Sequence, residues 1–188
     1  MRATVQASPL RVAVIVGSTR EGRVGDTVGD WFARQARERQ SLQVDVVDLL
    51  DFALPAQLPS RPTATMVAFA DRIRLAEAFV VVTPEYNRSF PASLKQALDC
   101  AYDEWRTKPA GFVSYGCHSE GVYAVEQLRA IFVELHVVTM RNGVGVDLLD
   151  AQSFDTDRRR QAARTMLDQL TWWGLALRDA RAARPYVS

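Results

Sequence analysis

Five short apolar runs, each separated from the next by a stretch of helical periodicity, constrain the fold of this 188-residue chain more than any other feature. The runs cover residues 11–16, 44–48, 78–83, 111–115 and 137–140. Near-continuous apolar character predicts strands buried on both faces, as in a parallel sheet, and not the in-and-out alternation of a half-solvated hairpin. Between the runs, Val24, Val28, Trp31 and Phe32 fall on one helical stripe, as do Met66, Phe69 and Ile73. Leu94, Ala97, Leu98 and Ala101 mark a third helix, entered at Pro91, and Val122, Val125, Leu128, Phe132 and Leu135 a fourth. Met166, Leu170, Trp173 and Leu177 mark the last. Parallel neighbours need crossover connections, and right-handed helical crossovers cover both faces of the sheet.

Five strands with a glycine-rich turn after the first predict an α/β, flavodoxin-like three-layer α/β/α sandwich, its five-stranded parallel sheet in the order 2-1-3-4-5. In that order a ligand crevice opens where the loops after strands 1 and 3 diverge. The expectation is one domain over residues 1–188, with its core at about 11–177 and short tails. With 48% hydrophobic and 24% charged residues the composition is that of an ordinary soluble protein. A net charge of +1 supplies no basic face for nucleic acid. No apolar run approaches the roughly 20 residues of a membrane span, and residues 1–10 lack a signal-peptide core, so no membrane partner is expected. Cys100 and Cys117 form neither a C-x-x-C pair nor a metal cluster. The expectation is a cytoplasmic protein with free thiols and no metal.

The first loop reads Gly17-Ser18-Thr19-Arg20-Glu21-Gly22-Arg23-Val24-Gly25-Asp26. Gly17 and Gly22 have the outer spacing of a P-loop, yet Arg23-Val24 stand where Lys and Ser/Thr belong. The dinucleotide pattern G-x-G-x-x-G is absent too. What remains suits a lone monophosphate without metal. Ser18 and Thr19 offer hydroxyls and amides, Arg20 and Arg23 offer charge-assisted bonds, and a helix N-terminus follows. The bland alternative is a strand-to-helix turn with solvated arginines. The second loop, Pro84-Glu85-Tyr86-Asn87, has amides at Glu85, Tyr86 and Asn87 for the carbonyls of a flat heteroaromatic ring, and apolar surface at Pro84 and Tyr86. Its bland alternative is a turn whose aromatics cap the core.

Three segments together resemble the signatures of the NAD(P)H-dependent FMN reductases, flavodoxin-like proteins that include quinone, chromate and azo-dye reductases. They are Gly17-Ser18-Thr19-Arg20, then Pro84-Glu85-Tyr86-Asn87 with Pro91, Leu94 and Lys95, then Lys108-Pro109 with Ser114-Tyr115-Gly116. The resemblance implies that Ser18, Thr19, Arg20, Arg23, Val24 and Gly25 hold the FMN phosphate. It implies Pro84, Glu85, Tyr86 and Asn87 around the ring and ribityl chain, and Ser114, Tyr115 and Gly116 over the ring edge. It further implies NAD(P)H as co-substrate, a small-molecule acceptor such as a flavin or quinone, a ping-pong cycle, and a homodimer or homotetramer with FMN near a subunit interface. The chemistry being the flavin's, no catalytic side chain is expected. The chain departs from the family after Gly116, where relatives carry further glycines and often an arginine. Here stand Cys117-His118-Ser119-Glu120-Gly121, and Glu120 is expected to repel a nucleotide phosphate. The competing readings are a flavodoxin-like electron carrier and a flavin-free scaffold.

The remaining conspicuous residues have mostly structural expectations. His118 reads as a solvated side chain, Cys117 as a thiol with no resolving partner, and Cys100 as a small buried helix residue. Arg158-Arg159-Arg160 reads as the solvated first turn of a helix capped by Thr156 and Asp157. One of Trp172 and Trp173 is expected to face the core, and Arg178 to Arg184 to form a mobile tail. Tyr102 and Trp105, spaced one helical turn apart, are expected to wall an interface or substrate pocket.

Overall fold

A computed structural model describes residues 8–149 and 154–187. Its strands are β1 (Leu10–Val16), β2 (Leu42–Asp48), β3 (Ala78–Pro84), β4 (Pro109–Gly116), β5 (Val138–Thr139) and β6 (Val144–Asp147). The helices are α1 (Gly25–Arg37), α2 (Ala64–Leu75), α3 (Ala92–Asp99), α4 (Val122–Glu134) and α5 (Asp157–Ala183). All strand pairs are parallel, in the order β2-β1-β3-β4-β5, as the strand–helix alternation predicts. The fifth position is split, because β6 also pairs with β4, between Val113–Gly116 and Val144–Asp147. The single last strand expected at 137–140 is thus only the first half of this edge. The break lies where the Arg129 guanidinium takes the carbonyls of Met140 at 2.7 Å and Arg141 at 3.3 Å. Beyond those two carbonyls the chain leaves the ladder until Val144.

Alternation along the strands sorts the core into two layers. Val12, Val14, Val80, Val82 and Val113 meet Val28, Trp31 and Phe32 of α1 and Met166, Leu167 and Leu170 of α5. Ala13, Ile15, Phe79, Val81 and Phe112 meet Phe69 and Ile73 of α2, Leu94 and Leu98 of α3, and Leu128 and Phe132 of α4. Fully burying each such side chain contributes about 1.5–3 kcal/mol, so the two layers supply most of the drive for folding.

Trp105 belongs to the second layer. It is fully buried, with ring centroids 4.8 Å from Phe79, 5.8 Å from Phe132 and 6.3 Å from Phe69. The expectation that it walls a pocket with Tyr102 therefore fails. Helix α3 ends at Asp99, so one-turn spacing no longer puts the two on a common face, and Tyr102 stays exposed under the Arg106 guanidinium. Nearby, the buried Lys108 ammonium donates to the carbonyls of Glu104 (2.7 Å), Ile73 (2.8 Å) and Arg74 (3.1 Å). This ties β4 to the C-terminal end of α2.

Three expectations about α5 also change. Trp172 and Trp173 are both exposed, because Gly174 occupies the inward position and lies against Leu10. Residues 178–183 are helix and not a loose tail. Arg178 forks onto both carboxylate oxygens of Glu77 at 2.7 Å and reaches the Ser8 carbonyl, while Arg181 donates to the Thr107 carbonyl. Thr156 does cap the helix, accepting from the Arg159 N–H at 3.3 Å, but Arg159 itself is buried and reaches the Gly145 carbonyl. Cys100 sits at the C-cap of α3, partly exposed. No helix of the described residues is long and apolar enough to cross a membrane.

Candidate functional site

The loops after β1, β3 and β4 converge at the C-terminal ends of their strands on a cleft of about 460 Å³. It exceeds the groove over β1 and β2 (about 410 Å³) and the one beside the C-terminal residues (about 360 Å³). Of the residues expected to form the site, Arg20, Arg23, Val24, Pro84, Glu85, Tyr86, Tyr115 and Gly116 line it. Thr19 opens instead onto a neighbouring groove with Leu49, Ser93 and Gln96. Ser18 and Gly25 are buried, and Asn87 lies at the tip of the second loop. Glu21, Gly22, Cys117 and Leu148 complete the lining without having been expected. The first three lie inside loops the motifs pick out, whereas Leu148 follows the unrecognised β6.

Helix α1 opens the first loop to an anion. Its N-cap, Val24, offers no side-chain acceptor, and the N–H groups of Gly25 and Asp26 have no partner among the described residues. By contrast, Thr63 and Thr156 cap α2 and α5 in the ordinary way. The third amide, of Thr27, is taken by the Asp26 carboxylate at 2.8 Å, which leaves two free amides at the helix start next to the cleft-lining Val24, and free amides at a helix start favour an anion. Arg20 reinforces it: the guanidinium has no carboxylate partner among the described residues and lies 5.8 Å from the Tyr86 ring centroid, between the first and second loops.

Arg23 does something different. Its guanidinium forks onto both oxygens of Asp48, at the end of β2, and donates to the Ser18 carbonyl at 2.5 Å. This bond raises the Arg23 pKa above its ordinary value. Although Arg23 borders the cleft, its hydrogen-bonding nitrogens latch the loop to the sheet. Ser18 is likewise occupied, its Oγ accepting from the Tyr115 hydroxyl at 3.1 Å. Burial pushes the Tyr115 phenol up to about 12, and it remains a neutral donor. The Tyr115 carbonyl accepts from the Glu85 N–H at 2.9 Å. One residue thus links all three loops.

The second loop is a two-residue hairpin. Tyr86 N–H donates to the Ser89 carbonyl at 2.7 Å and Ser89 N–H returns to Tyr86 at 3.0 Å, with Asn87 and Arg88 at φ 50° and 64°. These are the marks of a type I′ turn. The amides of Glu85 and Tyr86, expected to be free for a ring, are consumed inside the protein. The Asn87 and Arg88 N–H groups have no partner among the described residues. The Glu85 carboxylate turns away to accept from the Tyr123 N–H of α4 at 3.0 Å.

In the third loop, His118 and Glu120 take left-handed conformations, with φ 67° and 51°. The path suits glycine, although glycine stands only at Gly121, where a Cβ would lie 2.7 Å from that of Ser114. Asp147 secures the rest. Its Oδ1 accepts from Leu149 N–H at 3.0 Å and His118 N–H at 3.1 Å, and these bonds hold its carboxyl below the usual range. The Glu120 carboxylate lies against Gly145 in a separate groove with Ser114, Arg129 and Arg141, and does not line the cleft. His118 and Cys117 are exposed. The described residues contain no group of His, Cys, Asp and Glu able to hold a metal.

These groups fit FMN: two free amides at a helix start and an arginine without a carboxylate partner for the phosphate, and the apolar surface of Pro84 and Tyr86 for the ring, next to a turn whose Asn87 and Arg88 amides have no partner among the described residues. Residues 10–148 match the model of the NADPH-dependent FMN reductases. The NAD(P)H-dependent FMN reductase C4B3.06c of Schizosaccharomyces pombe is 34% identical over 140 residues, covering 68% of each chain. A quinone reductase of Pseudomonas putida is 29% identical over 176 residues, covering 86% of this chain and 93% of its own. The fold is shared with FerB, an NAD(P)H:(acceptor) oxidoreductase from Paracoccus denitrificans, at a TM-score of 0.71 and 20% identity, covering 89% of this chain and 98% of FerB. This chain belongs to the NADPH-dependent FMN reductase family.

Proposed function

We propose that the chain takes hydride from NADH or NADPH and delivers it to a small acceptor, a quinone or a free flavin, in a ping-pong cycle. The observation that carries this reading is the cleft between the β1 and β3 loops, lined by Arg20, which has no carboxylate partner among the described residues, and by Pro84, Glu85 and Tyr86, with the start of α1 and the Asn87–Arg88 turn directly following those segments in the chain. FMN, when bound, supplies the hydride-accepting and hydride-donating chemistry.

The chain's own groups supply binding and orientation. Arg20 and the Gly25 and Asp26 amides hold the phosphate, with Val24 beside them, and Arg23 and Ser18 keep that loop in shape. Asn87 and Arg88 donate to the ring from the hairpin, Pro84 and Tyr86 give it an apolar wall, and Gly116 lets the third loop approach. Glu85, Ser114 and Tyr115 fix the loops to one another and to α4, since the Ser114 hydroxyl donates to the Glu120 carbonyl at 2.7 Å. No side chain is assigned a proton-transfer role. The protein works as a homodimer or homotetramer, a reading supported by the exposure of Val122, Tyr123 and Val133 along α4. A cytoplasmic setting agrees with the free thiols of Cys100 and Cys117.

The test is direct. Purified protein is mixed with FMN, its melting temperature is followed, and the anaerobic complex is treated with NADH, NADPH and then an acceptor panel. A raised Tm, bleaching of the flavin band by reduced nicotinamide, and its return with a quinone or flavin are expected. Absence of both the Tm rise and the bleaching overturns the reading.

A further inference from the structure

The hairpin that continues from the cleft-lining Pro84, Glu85 and Tyr86 is gripped by one face of α4. Tyr123 and Gln127, four residues apart, share that face. The Tyr123 N–H donates to Glu85 Oε2 at 3.0 Å, and the Arg88 guanidinium carbon stacks 3.7 Å from the Tyr123 ring centroid. Gln127 holds the far end: its Nε2 donates to the Arg88 carbonyl at 2.7 Å, and its Oε1 accepts from the Ser89 hydroxyl at 2.7 Å. A carbonyl on one side and a hydroxyl on the other fix the orientation of this carboxamide. Turned over, its oxygen would face the Arg88 oxygen.

The hairpin needs such a grip. A type I′ turn requires positive φ at both central residues, and only one of the two here is a type that tolerates it. Asn87 is such a residue, while Arg88, at φ 64°, is not. Left to itself the Arg88 backbone would relax to negative φ, turning the Asn87–Arg88 peptide and breaking the hairpin. By fixing the Arg88 carbonyl and the Ser89 hydroxyl, Gln127 holds the turn on either side of the strained residue.

We propose that Gln127 is a positioning residue for the flavin ring, acting through the Tyr86–Ser89 hairpin so that the Asn87 and Arg88 amides stay preorganised as ring donors. The proposal rests on the flavin reading above, and it predicts an effect that depends on the ring and ignores the phosphate.

The test compares the full-length chain with Gln127→Met, which keeps length and removes both bonds, and Ser89→Ala, which removes one. Glu126→Gln is the control on the same helix, since Glu126 pairs with Arg129 and does not touch the hairpin. Two quantities are read: hydrogen exchange of residues 86–89 in flavin-free protein, and the Kd for FMN and for riboflavin. Two exposed neutral hydrogen bonds correspond to about a five-fold change. Gln127→Met should therefore speed hairpin exchange and weaken both flavins by about five-fold, Ser89→Ala by a smaller factor, and Glu126→Gln not at all. A merely structural role would lower Tm and leave hairpin exchange and both Kd values alone. That outcome, or a Gln127→Met that weakens FMN but spares riboflavin, overturns the proposal. A wild-type chain that binds neither flavin overturns the functional reading and this inference with it. Wild-type binding with an unaltered Gln127→Met overturns the inference alone.

Discussion

Arg20 and Arg23 are chemically alike and three residues apart, yet their replacement by alanine should produce opposite phenotypes. Arg20 is exposed, has no carboxylate partner among the described residues and meets only the Tyr86 ring. Removing a charge-assisted bond to phosphate costs about 1.5–3 kcal/mol, and solvent screening places this exposed group at the lower end. A loss of about 1.5 kcal/mol is roughly tenfold in FMN Kd. Riboflavin lacks the phosphate, and the Arg20–Tyr86 contact lies within the protein, so riboflavin Kd should hardly change. Stability should stay within about 0.5 kcal/mol of wild type.

Arg23 gives the reverse. Its side chain is 10% exposed against 19% for Asp48, and its loss leaves that carboxylate with the Leu50 N–H but no cation, and takes the guanidinium from the Ser18 carbonyl. Breaking one side of a largely buried pair costs about 3 kcal/mol, or roughly 6–12 °C in Tm for a chain of this size. The two flavins should weaken together, because the loop and not a phosphate ligand has been disturbed. Thermal unfolding and fluorescence titration with both flavins measure all four quantities. The assignment fails if Arg20→Ala weakens both flavins equally. It fails as well if Arg23→Ala keeps its Tm and loses FMN selectively.

Three further outcomes follow from single contacts. His118→Gly should exceed His118→Ala in stability by about 1 kcal/mol, since alanine keeps the strain at φ 67° and glycine removes it; equal Tm values would show that no strain is held there. Tyr115→Phe should lower stability by about 1–2 kcal/mol in chemical denaturation, because buried Ser18 loses its partner; no change would remove Tyr115 as the link between loops. Lys108 is pushed down by burial to about 7 from 10.5, against three carbonyls that favour its charged form. The unfolded chain therefore binds the extra proton between about pH 7 and 10.5, and stability relative to Lys108→Met should rise with pH across that window by up to about 1.4 kcal/mol per unit. A flat difference from pH 7 to 10 would mean that the carbonyls outweigh burial.

What the sequence made legible is what depends on local pattern. The strand order follows from alternation of strand and helix, and the cleft's position follows from the order. Val144–Asp147 escaped notice because four residues with glycine inside them carry little strand signal, and because β5 ends where Arg129, a residue on another element, takes the Met140 carbonyl. Arg178 looked solvated because its acid, Glu77, lies 101 residues away in sequence. Trp105 was misplaced for a related reason, since spacing speaks for a shared face only inside a helix. The site itself divides along the same line. That the loops after β1, β3 and β4 would meet was readable; which of their amides remain free was not. Glu85 and Tyr86 give theirs to Tyr115 and Ser89, a matter of turn geometry and register.

The third loop shows how a chain can give up glycines without giving up the path they allow. Left-handed conformations at His118 and Glu120 each cost about 1–2 kcal/mol, and bonds within the loop, from Ser119 N–H to the Cys117 carbonyl at 2.8 Å and from the Ser114 hydroxyl to the Glu120 carbonyl at 2.7 Å, offset part of that. Further compensation comes from β6: Asp147 bonds the His118 amide, and the Gly116 carbonyl accepts from Leu148 N–H at 3.0 Å, so the strand that closes the sheet also fixes the loop above it. Glycine is kept only at Gly121, where space and not conformation alone forbids a side chain. The second loop is built the same way, with a strained Arg88 held by α4. In both places a left-handed backbone is held by a side chain from a neighbouring element, Asp147 in one and Gln127 in the other. Substitutions at Asp147 or Gln127 should therefore reach the cofactor through the backbone, with no contact of their own.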